Sequence, residues 1–318
     1  MKDIETIGVV GGGTMGQGIA EYFAMKGYPV SVYEPNALLR DELAHRVERD
    51  LEVLEKYGLL SADAIGKALQ NLTVCDTLDA AVADADFIIE AIPENIQLKQ
   101  QLFNQLEQIT KPTAVIASNT SSLNLFDMMK SVSEDGRKRC MVCHWYNPAH
   151  LMPLVELSDF GNMDEEVLRK IEVLFTNAGK KTIRVLKNIP GLIANRIQQG
   201  IAREVFSLIE MKAASAEDID AALKYGPAFR YATTGQLEVA DFGGLDIWCT
   251  VGDNLLPAMS NSTKSSDLLR EKVSENKLGL KTGEGFFEYK ESKESILENF
   301  QKKLIIQLKS LDEMNKGS

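Results

Sequence analysis

One turn constrains this chain more than any other feature: Gly11-Gly12-Gly13-Thr14-Met15-Gly16, directly after the apolar run Thr6-Ile7-Gly8-Val9-Val10. A β-branched run that ends in glycines reads as a buried strand. Residues 14–26 then place Met15, Ile19, Tyr22 and Phe23 at helical spacing, and Gly27 stops them. Val30-Ser31-Val32-Tyr33 reads as a second strand. Strand, glycine turn, helix and strand make a βαβ unit. The turn fits G-x-G-x-x-G. One glycine makes the tight turn, one lets the backbone approach a pyrophosphate, and one lets helix and strand pack closely, while the helix N-terminus stabilises the phosphate charge. A purely structural glycine turn is the alternative, but the strand before it and the helix after it favour a dinucleotide site. Gly11, Gly13, Thr14, Met15 and Gly16 are the expected cofactor contacts.

Glu34 closes the second strand, 23 residues after Gly11. A carboxylate there can accept from a ribose 2′,3′-diol and would repel a 2′-phosphate, and Pro35 and Asn36 offer no arginine to welcome one. The expected cofactor is NAD.

The pattern continues as α/β. Leu39, Leu43, Val47, Leu51 and Leu54 recur at helical spacing, and Ser61 can cap a second helix through Leu69, which makes a helical hairpin inserted after the second strand. Short strands fit 72–74, 87–92, 114–117, 141–144, 155–157 and 182–185, with helices over 94–109 and 164–178. Alternation of this kind predicts a mostly parallel, doubly wound Rossmann-type sheet. The texture changes at Asn188-Ile189-Pro190-Gly191, where Asn188 can cap a helix and Pro190 suits its first turn. Leu192, Ile193, Ile197, Ile201, Val205, Leu208 and Ile209 then form an apolar face too wide for a surface helix, and Ser215 with Asp218 resembles a capping box. Ile296, Phe300, Leu304, Leu308 and Leu311 make a last apolar stripe. The expected division is an NAD-binding domain over 1–188 and an all-α substrate and dimerisation domain over 189–318. The wide apolar face predicts a homodimer through that second domain.

Composition removes other classes. Thirty-five Lys and Arg against 46 Asp and Glu give a net charge of −11 in 318 residues, which opposes binding to nucleic acid or to anionic membranes. No apolar run approaches the ~18 residues of a membrane span. Met1-Lys2-Asp3-Ile4-Glu5 has no hydrophobic leader core, and four scattered cysteines do not make a disulfide scaffold. The expectation is a reduced, cytoplasmic protein.

Cys140-Met141-Val142-Cys143-His144 is literally C-x-x-C-H, the haem attachment pattern. On a strand, however, residues three apart face opposite sides, whereas haem attachment needs both thiols on one porphyrin. Two small buried cysteines are the better reading, with neither haem nor zinc expected. His144 is different. It closes a strand and opens His144-Trp145-Tyr146-Asn147-Pro148, ahead of Pro153-Leu154-Val155-Glu156. Oxidising an alcohol with NAD needs a base for the hydroxyl proton, and a carboxylate partner fixes a histidine's tautomer. Glu156, inside an apolar strand, needs such a partner; plain burial of both is the alternative. Of the other histidines, His45 lies in a charged helical stretch and is expected to be solvated.

Taken together, the sequence resembles the 3-hydroxyacyl-CoA dehydrogenase family over nearly its whole length. The stretches that carry the likeness are Gly11–Gly18, 90–95 (EAIPEN), 117–123 (ASNTSSL), 144–148 (HWYNP) with Val155-Glu156, 190–196 (PGLIANR) and 281–287 (KTGEGFF). The resemblance implies that His144 and Glu156 are the catalytic dyad and that Ser121 contacts the substrate oxygen. Asn147 would support the site, and Asn195 would reach it from the second domain. Glu94, Lys99 and Asn119 would lie on the cofactor side. It also implies oxidation of a short 3-hydroxyacyl-CoA of the 3-hydroxybutyryl type, within fatty-acid metabolism.

That CoA ester is the preferred expectation; its nearest rival is a free hydroxy acid, because Pro153 and the extra C-terminal helix beyond Tyr289 look more like the branch of the family that oxidises small free hydroxy acids of the L-gulonate or carnitine type. Within the hairpin, residues 56–67 offer only Lys56 and Lys67 for CoA phosphates, and Phe229-Arg230-Tyr231 carries an arginine suited to a carboxylate. A 6-phosphogluconate-like reading needs a lysine base where Gly191 stands. A non-catalytic NAD-binding or structural protein is the remaining alternative.

Overall fold

The computed structural model describes residues 4–316. Residues 1–3, part of the segment read for a leader, and the last two residues of the second expected domain lie outside the described residues. Eight strands form one sheet: β1 (Ile7–Val10), β2 (Val30–Tyr33), β3 (Leu72–Cys75), β4 (Phe87–Glu90), β5 (Val115–Ser118), β6 (Cys140–Trp145), β7 (Leu154–Ser158) and β8 (Lys181–Arg184). Their order is β3-β2-β1-β4-β5-β6-β7-β8. Every neighbouring pair is parallel except β6–β7. This is the doubly wound arrangement, and it reverses direction of growth between β1 and β4, where such sheets bind ligands.

The helices of this part follow from the same sequence signals. Helix α1 (Thr14–Met25) begins at the glycine turn, and no side chain caps it. Helix α2 (Ala37–Lys56) is capped by Asn36, whose side chain accepts from the Leu39 N–H, and buries the stripe Leu43, Val47, Leu51 and Leu54. Helix α3 (Ala62–Gln70) completes the inserted hairpin; Ser61 stands at its N-cap but makes no side-chain bond there. Helix α4 (Leu78–Val82) and helix α5 (Ile96–Ile109) follow, the latter capped by Asn95.

Alternation along the strands sorts the core onto the two faces of the sheet. Ile7, Val9, Met141, Cys143, Trp145, Val155 and Leu157 pack with α1, α2 and helix Glu165–Asn177. Val10, Ile88, Ile116, Cys140 and Val142 pack with α4 and α5. Phe23 anchors the first layer, with its ring 5.5 Å from that of Trp145 and 5.8 Å from that of Phe175. Cys140 and Cys143 are both fully buried and sit in opposite layers, so one porphyrin cannot take both.

The chain divides into two compact units, one of residues 1–193 with 301–309 and one of 194–300 with 310–318. The second unit is helical among its described residues, apart from two isolated bridges at Gly279, Glu284 and Glu288. Two local expectations are corrected. Asn188 and Pro190 do not start the long helix. A turn intervenes, with Gly191 and Leu192 at φ of 81° and 49°, and the helix begins at Ala194. The last helix, Lys293–Lys316, does not belong wholly to the second unit, because its middle turns join the first, where Ile305 is fully buried. Ser215 does cap helix Ala216–Tyr225 and also contacts Asp218 Oδ2 at 3.0 Å. Among the described residues, no helix is long and apolar enough to cross a membrane.

Candidate active site

Pairing register builds the centre of the site. In the antiparallel β6–β7 pair, His144 lies directly opposite Glu156. Directly opposed residues project to the same face of a sheet, so two side chains 12 positions apart meet. His144 Nδ1 is 2.8 Å from Glu156 Oε2. His144 is 6% exposed and Glu156 is fully buried. The other carboxylate oxygen, Oε1, accepts from the Ile193 N–H at 3.0 Å, inside the turn that precedes the long helix. A carboxylate held at both oxygens accepts from Nδ1–H, fixes that tautomer and leaves the Nε2 lone pair to act as a base. The Tyr146 ring meets the imidazole edge-on at 5.1 Å. Burial and the charge of Glu156 push the Tyr146 phenol well above its ordinary pKa, so it stays neutral.

A second network lies at the C-terminal ends of β4 and β5. Glu90, at the end of the apolar strand Phe87-Ile88-Ile89, is fully buried. Its Oε1 accepts from Lys99 Nζ at 2.6 Å and from the Ser118 hydroxyl. Lys99 is 1% exposed and reaches Glu94 Oε2 at 3.1 Å as well. Glu94 Oε1 gathers Thr120 Oγ1 (2.5 Å), Ser122 Oγ (2.8 Å) and the N–H groups of Ser121 and Ser122 (3.3 and 3.2 Å). Burial acts to raise the Glu94 pKa, but Thr120, Lys99 and Ser122 outweigh it and keep the carboxyl below its ordinary range. Lys99 is therefore spent on two carboxylates, with its ammonium enclosed. The Ser121 carbonyl accepts from the Gly191 N–H at 2.9 Å, which ties the serine loop to the turn at 190–193. Asn119 Oδ1 accepts from the Trp145 N–H at 2.8 Å, beside the dyad's strand.

The glycine turn meets the demands of a dinucleotide. Gly11 sits at φ 102°, a conformation that favours glycine. A Cβ on Gly16 would lie 1.7 Å from the Gly11 carbonyl oxygen, so only glycine allows this closeness, whereas Gly13 faces open space. With no side-chain cap, the first turn of α1, with Thr14 and Met15, presents its N–H groups to an anion. Glu34 is 7% exposed; its Oε2 accepts from the Gly12 N–H at 2.7 Å and its Oε1 from the Asn36 N–H at 2.9 Å. Each oxygen keeps a further lone pair for a ribose hydroxyl. These residues fit NAD.

The structure brings His144, Glu156, Ser121, Asn119, Glu94 and Lys99 into these two networks. Asn147 is exposed just beyond β6. Asn195 lies half-buried at the start of helix Ala194–Glu210, in the second compact unit. Sequence reasoning missed Glu90, Thr120 and Ser122. An acid closing the run Phe87-Ile88-Ile89 was the available signal, since a buried carboxylate needs a cation or donors.

Comparison with known proteins adds identity. Residues 6–189 match the family model for the 3-hydroxyacyl-CoA dehydrogenase NAD binding domain, and residues 191–289 match that for its C-terminal domain. A probable 3-hydroxyacyl-CoA dehydrogenase of Caenorhabditis elegans is 33% identical over 91% of this chain and 97% of the relative. An L-carnitine dehydrogenase of Streptomyces coelicolor is 34% identical over 74% of this chain and 72% of the relative. Among solved structures, 5-formyl-3-hydroxy-2-methylpyridine 4-carboxylic acid 5-dehydrogenase, an NAD+-dependent dismutase, superposes with a TM-score of 0.88 at 27% identity, covering 97% of this chain and 99% of that one.

Proposed function

The chain belongs to the 3-hydroxyacyl-CoA dehydrogenase family of NAD-dependent oxidoreductases, and from that premise we propose that it oxidises the hydroxyl of a small free hydroxy acid to the keto product. The 2.8 Å His144–Glu156 pair carries the chemistry. His144 Nε2 takes the hydroxyl proton as the carbon–oxygen double bond forms. Glu156 holds the ring and stabilises the imidazolium. NAD, when bound, accepts the hydride, so the alcohol loses two electrons and the released proton passes through His144 to solvent. Ser121 and Asn195 are the donors that polarise the substrate oxygen, and Asn147 supports them. Gly11, Gly13, Thr14, Met15, Gly16, Glu34, Asn119 and Glu94 serve the cofactor, and Lys99 acts on it through Glu94.

Charge on the hairpin favours the free acid. Helices α2 and α3 with their connection carry seven acids against five bases over residues 37–70. A net charge of −2 there offers the phosphates of CoA no concentrated basic patch. Neither the carnitine enzyme nor the pyridine carboxylic acid enzyme is named for a CoA ester. The second reading, a short 3-hydroxyacyl-CoA such as 3-hydroxybutyryl-CoA within fatty-acid metabolism, is favoured by relatives named for that substrate. Initial rates of NADH formation with 3-hydroxybutyryl-CoA, free L-3-hydroxybutyrate, L-gulonate and L-carnitine separate the two. Turnover confined to the CoA ester overturns the free-acid reading.

We also assign a homodimer built through the second unit, in the cytoplasm. Within that unit only Ile219 and Val239 are buried hydrophobic residues among those described, while Phe229, Leu237, Phe242, Leu245, Ile247 and Trp248 are exposed. Apolar surface on that scale needs a cover, and a second copy supplies it. Sedimentation showing a monomer at micromolar concentration would refute the dimer. The free thiols suit a reducing compartment.

A further inference from the structure

We propose that Glu21, Asp50 and His150 form a binding site for one divalent transition-metal cation of the zinc class, apart from the His144–Glu156 pair. Glu21 lies on α1, Asp50 on α2 and His150 in the loop between β6 and β7. One ligand atom from each lies within 4.8 Å of the others. Glu21 is fully buried, yet neither of its carboxylate oxygens has a hydrogen-bond partner. A buried carboxylate without partners is among the costliest arrangements in a protein interior.

The spacing suits an ion better than a hydrogen bond. His150 Nδ1 and Glu21 Oε2 are 3.8 Å apart, too far to share a proton. A cation about 2.1 Å from each spans that gap. Asp50 is the half-buried member and gives the entry side. Its oxygens are already oriented by Gln17 Nε2 at 2.8 Å and Gln301 Nε2 at 3.2 Å, the outer support that metal ligands require. Two carboxylates balance a dication, and imidazole with carboxylates is a donor set that zinc accepts. Lys180 is the neighbouring base. Its amine is turned away to the carbonyls of Ala149 and Met152 and to the Tyr22 ring.

The test is equilibrium dialysis of the chelator-stripped, full-length protein against Zn2+, with metal counted by atomic emission. The expected result is one Zn2+ per chain in the wild type and in His45→Ala. Affinity in Glu21→Gln and His150→Gln should fall by more than about tenfold, the least that even outer-shell partners command. A wild type that retains no Zn2+ overturns the proposal, since the cluster then holds a neutral carboxyl and water. Loss of binding in His45→Ala with Glu21→Gln unchanged also overturns it. Should Glu21→Gln fail to fold, X-ray absorption of the Co2+-loaded wild type decides. One imidazole with oxygen ligands sustains the site, whereas thiolate or oxygen-only ligation overturns it.

Discussion

Replacing Glu156 by glutamine removes one charge and almost no volume, so it isolates what the carboxylate does. The wild-type group accepts twice, from His144 Nδ1 at 2.8 Å and from the Ile193 N–H at 3.0 Å. An amide has one oxygen and can accept only one of these. With the oxygen toward His144, the Ile193 N–H faces another donor, and a buried unmatched donor costs about 1–3 kcal/mol of stability. The imidazolium then forms without its counter-charge. At an effective dielectric near 20, unit charges about 4 Å apart interact by roughly 4 kcal/mol, which is close to a thousandfold in rate. With the NH2 group toward His144, the ring must carry its proton on Nε2 and cannot act as a base. In another His–carboxylate pair that wrong tautomer costs about 10⁴ in kcat. Either orientation predicts a kcat loss of roughly 10³ to 10⁴, an unchanged Kd for NAD, and a modest drop in stability. Stopped-flow NADH absorbance gives kcat, fluorescence titration gives the Kd, and urea melts give the stability. A variant whose kcat stays within about tenfold of wild type refutes the dyad, and so does an equal loss of NAD affinity.

Gly16→Ala places a methyl group where the Gly11 carbonyl oxygen lies 1.7 Å away, so the turn must open; NAD binding should weaken by more than about tenfold (1.4 kcal/mol) in a fluorescence titration. Only Cys249 is exposed among the four thiols, and burial lifts the Cys140 pKa to about 12. A disulfide reagent at neutral pH should therefore titrate at most one thiol in the native protein and all of them after denaturation, and fast reaction of a second native thiol contradicts the buried-cysteine reading. Asp86 accepts from the N–H groups of Glu5 and Thr6 and from Lys111; burial raises its pKa, but these bonds outweigh it and lower it. A depressed carboxyl contributes stability above its ordinary pKa and loses it as the pH falls through the lower folded value. Asp86→Asn should thus cost about 1 kcal/mol at neutral pH, limited by solvent screening, and the deficit should shrink below pH 3.8; a constant deficit down to acid unfolding contradicts the assignment.

What could be read in the sequence was whatever rests on local periodicity. The βαβ start, the helical hairpin and the alternation that puts Cys140 and Cys143 in opposite layers follow from spacing within a dozen residues. The proximity of His144 and Glu156 was legible because β6 and β7 are close in sequence, so their side chains could be paired before the register was known. Networks assembled from distant segments were not. Glu90 finds Lys99 on a following helix and Ser118 on another strand, and Glu21, Asp50 and His150 come from three elements with no motif spacing between them. The turn at 190–193 was misread for a different reason. Asn188 and Pro190 carry real capping chemistry, but positive φ at Gly191 and Leu192 inserts a bend that no periodicity reports. The last helix has one apolar stripe, and nothing along it says that its middle packs with the first unit.

Glu34 has a consequence for anyone who would re-engineer cofactor choice. The acid that would select against a 2′-phosphate is also the acceptor for the Gly12 N–H. Replacing it with a neutral or basic residue strips the glycine turn of its brace while changing the ribose contact, so affinity for either nicotinamide dinucleotide falls together. A successful switch of specificity has to supply a new acceptor for that amide first, and only then a cation for the phosphate.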